Sequence, residues 1–267
     1  MVSKLELLRD IAKASTEIVA SRRLKLADMA IGLRYAIAIL EGREGEAAGL
    51  CYVDYLDTLF EPPVPELHEI SLDRLLLSEH HLWRVAGLAI ANAAFQYVLW
   101  NEKDAYRRYE VYLGRRESWA KLLDLLRGKT PILVIGNMGP LIRFLNENGL
   151  QTIALERSPL MRIRSLPDTS LPFVAVKAQS LVVTGASIPN ATLSTVLSTV
   201  AHAKPKILIG PTAQLDPELA RTFGVDAIAS TIVKNISRAL DIVKRGGGRH
   251  DLTEALSDYI IILSYHK

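Results

Sequence analysis

The sequence predicts an α/β fold in which a Rossmann-like parallel sheet domain follows a smaller α+β domain. Two observations predict it. Beyond residue 114, short apolar runs without polar alternation are separated by helical stretches, a pattern typical of parallel strands covered on both faces. Before residue 114, the sequence predicts a helix, a hairpin and a pair of helices in succession. At 267 residues and 49% hydrophobic, the chain can build two modest cores, so we predict domains 1–113 and 114–267, with the boundary near Gly114.

The composition of the chain limits the kinds of partner that it is expected to bind. A net charge of +3 is too weak and too dispersed for nucleic-acid binding, and the longest apolar stretch, residues 87–100, is too short for a bilayer. The charged N-terminus does not resemble a signal peptide, and the single cysteine, Cys51, forms neither an intramolecular disulfide nor a thiolate cluster. We therefore expect a cytoplasmic protein with a small-molecule ligand and no membrane partner; a homo-oligomer stays open.

Hydrophobic periodicity, together with residues that cap helices or form turns, predicts the elements of the first domain. Ser3 and Glu6 have the spacing of a capping box at the start of a helix. Residues 101–116 are polar and indicate the crossing between domains, with Tyr106, Tyr109 and Tyr112 on one helical stripe. The other predicted elements are a helix over 3–20, a hairpin over 26–41 and 47–53, a proline connector over 61–65, and two helices starting near Ser71 and Ser78.

The second domain alternates strands and helices. Strands are predicted over 131–136, 152–155, 173–176, 180–184, 207–209 and 227–230, and helices over 118–127, 140–148, 192–201 and 217–223. In open parallel sheets, ligands bind beyond the carboxyl ends of the strands. The loops that follow these strands are therefore the candidate site.

The first loop offers Gly136, Asn137 and Gly139 before a helix start, where free backbone N–H groups can hold a polar or anionic ligand. Its Gly-x-x-Gly spacing is an incomplete dinucleotide fingerprint. Glu156 follows Gly136 by twenty residues, as an acidic residue that binds a ribose hydroxyl would. Nucleotide or S-adenosylmethionine binding and a plain tight turn with a solvated Glu156 both remain open.

Two further loops concentrate hydroxyl and amide groups. The second contains Thr184, Gly185, Asn190 and Thr192, although one helix cap needs only one such residue. The third contains Gly210, Thr212 and Gln214, and Asp216 before Pro217 is its N-cap, which leaves Thr212 and Gln214 without an evident structural role. Three polar loops at one sheet edge predict a pocket.

Together these stretches resemble the "putative heavy-metal chelation" family. The matching residues are 136–140, 155–159, 183–185, 190–193, 210–212 and 224–226, with 31–34 and 87–93 in the first domain. The resemblance implies a domain similar to the enolase N-terminal domain, then a Rossmann-like domain, with a site between them. Ala191 and Ser230 stand where the family usually has glycine.

The residues themselves give little support for a metal site. No two of the six histidines have the i, i+4 spacing of a helical metal site, and His80 and His81 are expected on the surface at a helix start. Glu156 could still contact a metal ion or a substrate proton. A divalent or heavy metal ion, S-adenosylmethionine and a nucleotide all stay open as cofactors.

The leading hypothesis is a small-molecule-binding protein that acts on a chelator or pterin-like compound in the cleft between the domains. Glu156 is the expected acid/base or metal contact. The expected ligand-binding residues are Asn92 of the first domain and Gly136, Asn137, Gly139, Thr184, Gly185, Asn190, Thr192, Gly210 and Thr212 of the second. The alternatives are an S-adenosylmethionine- or nucleotide-dependent transferase and a non-catalytic metal or ligand delivery module.

Overall fold

The computed structural model describes residues 5–66 and 71–263, so the predicted cap Ser3 and the histidines His68 and His266 lie outside the described residues. The first domain contains an antiparallel sheet of order β1-β2-β3. Its elements are α1 (Glu6–Arg22), β1 (Lys25–Ile31), β2 (Tyr35–Gly42), β3 (Gly45–Tyr52), α2 (Tyr55–Thr58), α3 (Leu72–Leu76) and α4 (His81–Asn101). The predicted run 26–41 is thus two strands, because a turn at residues 32–34 divides it.

Helix α4 lies across β2 and β3 at very short range. A Cβ atom on Gly49 of β3 would be 2.2 Å from the Ala89 carbonyl oxygen, so only glycine permits this approach. The helix is long and apolar enough to cross a membrane by length and composition, but 72% of its apolar window is buried inside the protein. It is therefore accounted for as the central core helix of the first domain.

The second domain confirms the predicted α/β class. Its eight strands have the order β4-β11-β10-β9-β8-β5-β6-β7, and those from β10 to β7 are parallel. The central order corresponds to the 3-2-1-4-5-6 arrangement of dinucleotide-binding sheets. The elements are β4 (Glu110–Leu113), α5 (Arg115–Leu126), β5 (Ile132–Ile135), α6 (Gly139–Glu147), β6 (Thr152–Glu156), β7 (Leu166–Pro167), α7 (Leu171–Val174), β8 (Ser180–Thr184), α8 (Leu193–Thr199), β9 (Lys206–Ile209), α9 (Pro217–Thr222), β10 (Ala227–Val233), α10 (Ile236–Lys244) and β11 (Leu256–Ile262).

The large sheet is buried on both faces, and one face is shared with the first domain. Leu133, Leu181 and Val183 belong to the same hydrophobic cluster as Ala36 and Leu88 of the first domain. The alternate residues of the strands pack instead with α5 and α6. The two domains therefore meet through apolar packing, which fixes their relative position.

Two predicted elements are wrong. Residues 173–176 form the end of α7 and a 3₁₀ turn instead of a strand; Pro172 suits a helix start, and Phe173 and Val176 are 77% and 76% exposed. Tyr106, Tyr109 and Tyr112 do not share a helix, because only residues 105–108 are helical and Tyr112 pairs with Ile260 of β11. The large sheet thus begins at Glu110, just before the boundary predicted near Gly114.

Candidate functional site

The three predicted loops meet at the carboxyl edge of the sheet, around the point between β5 and β8 where the strand order reverses. Gly136 has a φ of +97°, and a Cβ atom there would lie 3.0 Å from the Thr184 side chain, so the loops after β5 and β8 touch. A Cβ atom on Gly185 would lie 2.5 Å from the Ala213 backbone nitrogen, so the loops after β8 and β9 touch as well. At Gly139 and Gly210 a Cβ atom would meet nothing within 4 Å.

Glu156 connects the first of these loops to the loop after β6. One carboxylate oxygen accepts the Asn137 backbone N–H at 2.7 Å, and the other accepts the Ser158 N–H at 2.8 Å. The Asn137 side-chain amide donates in turn to the carbonyl oxygens of Met161 (2.6 Å) and Ile163 (3.3 Å). The carboxylate thus holds the loops after β5 and β6 in place and retains lone pairs for a ligand donor.

The loop after β8 contacts the first domain. Arg84 of α4 donates from Nε to the Pro189 carbonyl oxygen at 2.6 Å, beside the half-buried Asn190. Thr184 Oγ1 accepts the Ala186 N–H at 3.3 Å, and the Thr192 hydroxyl donates to the Ser187 carbonyl oxygen at 3.3 Å. Both threonine hydroxyls therefore shape this loop, and α4 begins directly against it.

In the structure, Asn92 and Thr212 lie in the contact between the domains and not in the predicted pocket. β3 is an edge strand, and its outward backbone groups need partners. Thr212 Oγ1 accepts the Tyr52 N–H at 2.8 Å, and Asn92 Nδ2 donates to the carbonyl oxygens of Leu50 (2.9 Å) and Thr212 (3.1 Å). Both side chains are almost fully buried, so neither is open to a ligand.

Gln214 completes this arrangement, which corrects the interpretation that it has no structural role. Its Oε1 accepts the Leu50 N–H at 2.7 Å, and its Nε2 donates to the Thr231 carbonyl oxygen at 2.7 Å. The polar residues of the third loop therefore satisfy the edge of β3.

The first domain contributes functional candidates that the sequence did not single out. They lie at the end of β3, in α2 and at the start of α4. Asp57 of α2 forms an ion pair of 2.5 Å with Arg157, which directly follows Glu156. Glu61 accepts the backbone N–H groups of His81 (2.6 Å) and Leu82 (2.5 Å), which caps α4. An acidic group of the first domain thus pairs with a basic group of the second, next to Glu156.

The pKa values of several groups in this cleft are perturbed. Burial raises the pKa of Asp54, and the nearby Asp57 carboxylate raises it further. Burial lowers the pKa of His81, and the Arg84 guanidinium lowers it further. Burial also raises the pKa of Tyr52, as do the carboxylates of Asp54 in the first domain and Glu156 in the second. Opposed shifts of an acid and a base within one cleft are typical of functional sites.

His81 corrects the expectation that both adjacent histidines lie on the surface. Its side chain is 5% exposed, and neither ring nitrogen makes a hydrogen bond of standard geometry within the described residues. One ring nitrogen only approaches the Pro189 carbonyl oxygen. The imidazole therefore has unused hydrogen-bonding capacity, which a ligand reaches only if the residues around the start of α4 move aside.

The described residues do not fit a resident metal ion. Within residues 5–66 and 71–263, no group of three or more His, Cys, Asp and Glu side chains could hold one. Cys51 is fully buried, and burial raises the pKa of its thiol well above the usual range, which disfavours the thiolate that binds metals.

Two other clefts lie outside this region. One, of about 640 Å³, is lined by charged residues that include Arg22, Lys25 and Glu44. The other, of about 830 Å³, includes Arg115, Arg238 and His250 in its lining. Neither is lined by a predicted site residue, so the strand-end loops beside the domain contact remain the candidate site.

Ala191 has a left-handed φ of +54° at the position where the resembling family usually has glycine. We expect Ala191→Gly to raise the free energy of unfolding by roughly 0.5 kcal/mol, because relief of left-handed strain exceeds the flexibility that glycine adds. Urea unfolding measures this change. Ala186→Gly, in a right-handed turn of the same loop, should be destabilising; an Ala191→Gly protein less stable than the wild type contradicts the strain argument.

The chain is similar to known proteins in both sequence and structure. A family profile described as "putative heavy-metal chelation" (DUF364) matches residues 119–262. An uncharacterised protein of Methanocaldococcus jannaschii is 31% identical over 163 residues, or 60% of this chain, and the match spans 59% of that relative's length. A Pyrococcus horikoshii protein of unknown function from the DUF364 family has a similar structure, with a TM-score of 0.80 and 28% identity over 96% of this chain and 99% of that one. A Desulfitobacterium hafniense protein shares the fold, with a TM-score of 0.72 and 19% identity over 95% of this chain and 99% of that one.

Proposed function

Because the chain belongs to the family described as "putative heavy-metal chelation", we propose that it binds a small polar molecule of the chelator or pterin-like class in the cleft between its domains and exchanges a proton with it. The observation that carries this proposal is that Asp54 and His81 both lie near Asp57, whose ion pair with Arg157 joins the domains, with the pKa of Asp54 raised and that of His81 lowered. Glu156 and Asn190 lie on the opposite, second-domain side.

The chemistry follows from the state of each group. A lowered pKa keeps the imidazole of His81 neutral near pH 7, so it can accept a proton from the ligand. Asp54, with its raised pKa, is suited to receive or return a proton on the same ligand. Arg84 and Arg157, which already bind the Pro189 carbonyl and Asp57, would orient an oxyanion group through their remaining N–H groups. No metal ion is needed for these roles.

One observation favours a second candidate, an S-adenosylmethionine- or nucleotide-dependent transferase. The strand order and the position of Glu156 at the end of β6 are those of a ribose-binding acid. Against it, residues 161–163 lie against Asn137, in the loop that would hold the phosphates of a nucleotide. A delivery module without turnover uses the same cleft and differs only in leaving its ligand unchanged. The cytoplasmic location stays a prediction.

Calorimetric titration tests the site directly. The panel is a pterin, S-adenosylmethionine, ATP, nickel citrate and Zn²⁺ alone. A ligand that binds the wild type should bind Asp54→Asn and His81→Gln at least about tenfold more weakly, a loss of about 1.4 kcal/mol, because each change removes a ligand contact. Tight binding of S-adenosylmethionine or ATP favours the transferase.

Matched controls and stability decide the interpretation. Asp73→Asn and His202→Gln, on exposed residues, should bind as the wild type does. Asp54→Asn should unfold at the same or a higher temperature at pH 7. In the wild type, the raised pKa of Asp54 means that the folded state binds the proton more tightly than the unfolded state. The wild type therefore loses stability as the pH rises above about 3.9, and the difference in unfolding temperature between the two proteins should vanish below that pH. Unchanged affinity in both cleft variants contradicts the proposed site.

A further inference from the structure

The imidazole of His81 is enclosed by both domains. Its side chain is 5% exposed, and neither ring nitrogen has a hydrogen-bond partner of standard geometry in the described part of the chain. On the second-domain side, the Pro189 carbonyl oxygen approaches the ring. On the first-domain side, the carboxylates of Asp54, Asp57 and Glu61 interact with it electrostatically. A ligand therefore reaches the ring only if one of these two sides opens.

The two sides are held with very different firmness. On the second-domain side, Gly185 and residues 187–189 are buried, and Gly185 packs against the backbone of the next loop. On the first-domain side, none of residues 54–66 is buried, and Leu59 and Phe60 are 61% and 99% exposed. Segments with few buried contacts open locally at a small cost in free energy. The first-domain side is therefore the one that opens more readily.

Residues 54–60, which we call the strap, run between two fixed ends. At one end, Val53 is 3% exposed, and its N–H donates to the Arg34 carbonyl oxygen at 3.0 Å. At the other end, the Glu61 carboxylate accepts two backbone N–H groups at the start of α4. The strap can therefore move outward while both of its ends stay in place.

One ion pair fastens the middle of the strap to the second domain. Asp57 of the strap pairs with Arg157 at 2.5 Å, and the two side chains are 31% and 44% exposed. Ion pairs that are open to solvent contribute little to stability and are screened by salt. When this pair breaks, the Arg157 guanidinium gains free N–H donors next to Glu156.

We propose that the strap opens while the two domains stay together, and that this local opening admits the ligand to His81 and frees Arg157 to bind it. This inference rests on the proposed function, since it concerns access to the same site. The alternative route is separation of the domains. That route would break the buried hydrogen bonds of Gln214 and the apolar cluster that both domains share, so it is far more costly.

Acylation by diethyl pyrocarbonate at pH 7, located by mass spectrometry, tests the strap. The reagent acylates neutral imidazole nitrogens that solvent reaches, so wild-type His81 should react more slowly than the exposed His202. Asp57→Asn should raise the rate at His81 about two- to fivefold, the range expected when an exposed ion pair is lost. The imidazole stays neutral in both proteins, because burial lowers its pKa and loss of the Asp57 carboxylate lowers it further.

Two controls separate local opening from larger motions. Asp28→Asn removes a second exposed ion pair between the domains, the 3.2 Å pair with Lys244, and should leave the rate at His81 unchanged. The amine of Lys206, buried at the opposite edge of the large sheet, reports global unfolding and should react equally slowly in all three proteins.

Several outcomes would overturn the strap. They are a wild-type His81 that reacts as fast as His202, equal rates at His81 in the wild type and Asp57→Asn, an equal increase in Asp28→Asn, and a parallel increase at Lys206. None of them touches the proposed function, which depends on the affinities of Asp54→Asn and His81→Gln for the titration panel. If the strap opens as expected but both of those variants bind as the wild type does, the proposed function fails, and the role of the strap in ligand entry fails with it.

Discussion

Gln214→Ala is expected to lower the free energy of unfolding by roughly 3–5 kcal/mol, among the largest effects of any single change in this protein. The Gln214 side chain is fully buried and joins the domains by accepting the Leu50 N–H and donating to the Thr231 carbonyl. Its removal leaves both backbone groups buried without partners and opens a cavity. Urea unfolding followed by circular dichroism measures the loss.

The control for this prediction is Gln151→Ala. Gln151 is exposed, so its truncation should change stability by less than about 0.5 kcal/mol. If Gln214→Ala loses less than about 1 kcal/mol, then the edge of β3 does not depend on side chains of the second domain, and the account of the domain contact is wrong.

Gly185→Ala is the second change with a large expected effect. The new Cβ atom would lie 2.5 Å from the Ala213 nitrogen and 2.6 Å from the Thr212 carbonyl carbon. Both atoms are backbone and cannot rotate away, so the loops after β8 and β9 must separate, at a cost of roughly 3 kcal/mol or more. Thermal unfolding together with ligand titration measures the effect, and both stability and affinity should fall.

Gly139→Ala is the matched change. It adds the same methyl group at the start of α6, where nothing lies within 4 Å, and it should leave stability unchanged or slightly higher. A loss of affinity in this variant would then report ligand contact at the helix start. Equal stability of the Gly185→Ala and Gly139→Ala proteins contradicts the close approach of the loops.

The fold could be predicted because strands buried on both faces must be apolar throughout. β5 and β8 contain such apolar runs, and each strand is followed by a glycine and then by a helix, a pattern that indicates a parallel sheet. β11 was missed because no turn signal separates it from the 3₁₀ helix before it. Residues 173–176 have strand-like composition but lack a neighbouring strand, which sequence alone does not reveal.

The candidate site could be predicted only on the side of the second domain. The strand-end rule located Glu156 and Asn190, since it depends on local order along the chain. Asp54 and His81 reach the cleft through the packing of the first domain, which no local pattern encodes. Asn92 and Thr212 misled for a related reason, because the need to satisfy an edge strand attracts the same polar residue types as a ligand does.

The most direct test of the central claim is a crystal structure of the protein saturated with the tightest-binding molecule of the titration panel. The account predicts that the ligand lies between the domains, within hydrogen-bonding distance of Asp54 or His81 on one side and of Glu156 or Asn190 on the other. A ligand held instead in the cleft lined by Arg115 and Arg238, with the space between the domains free of it, would contradict the account.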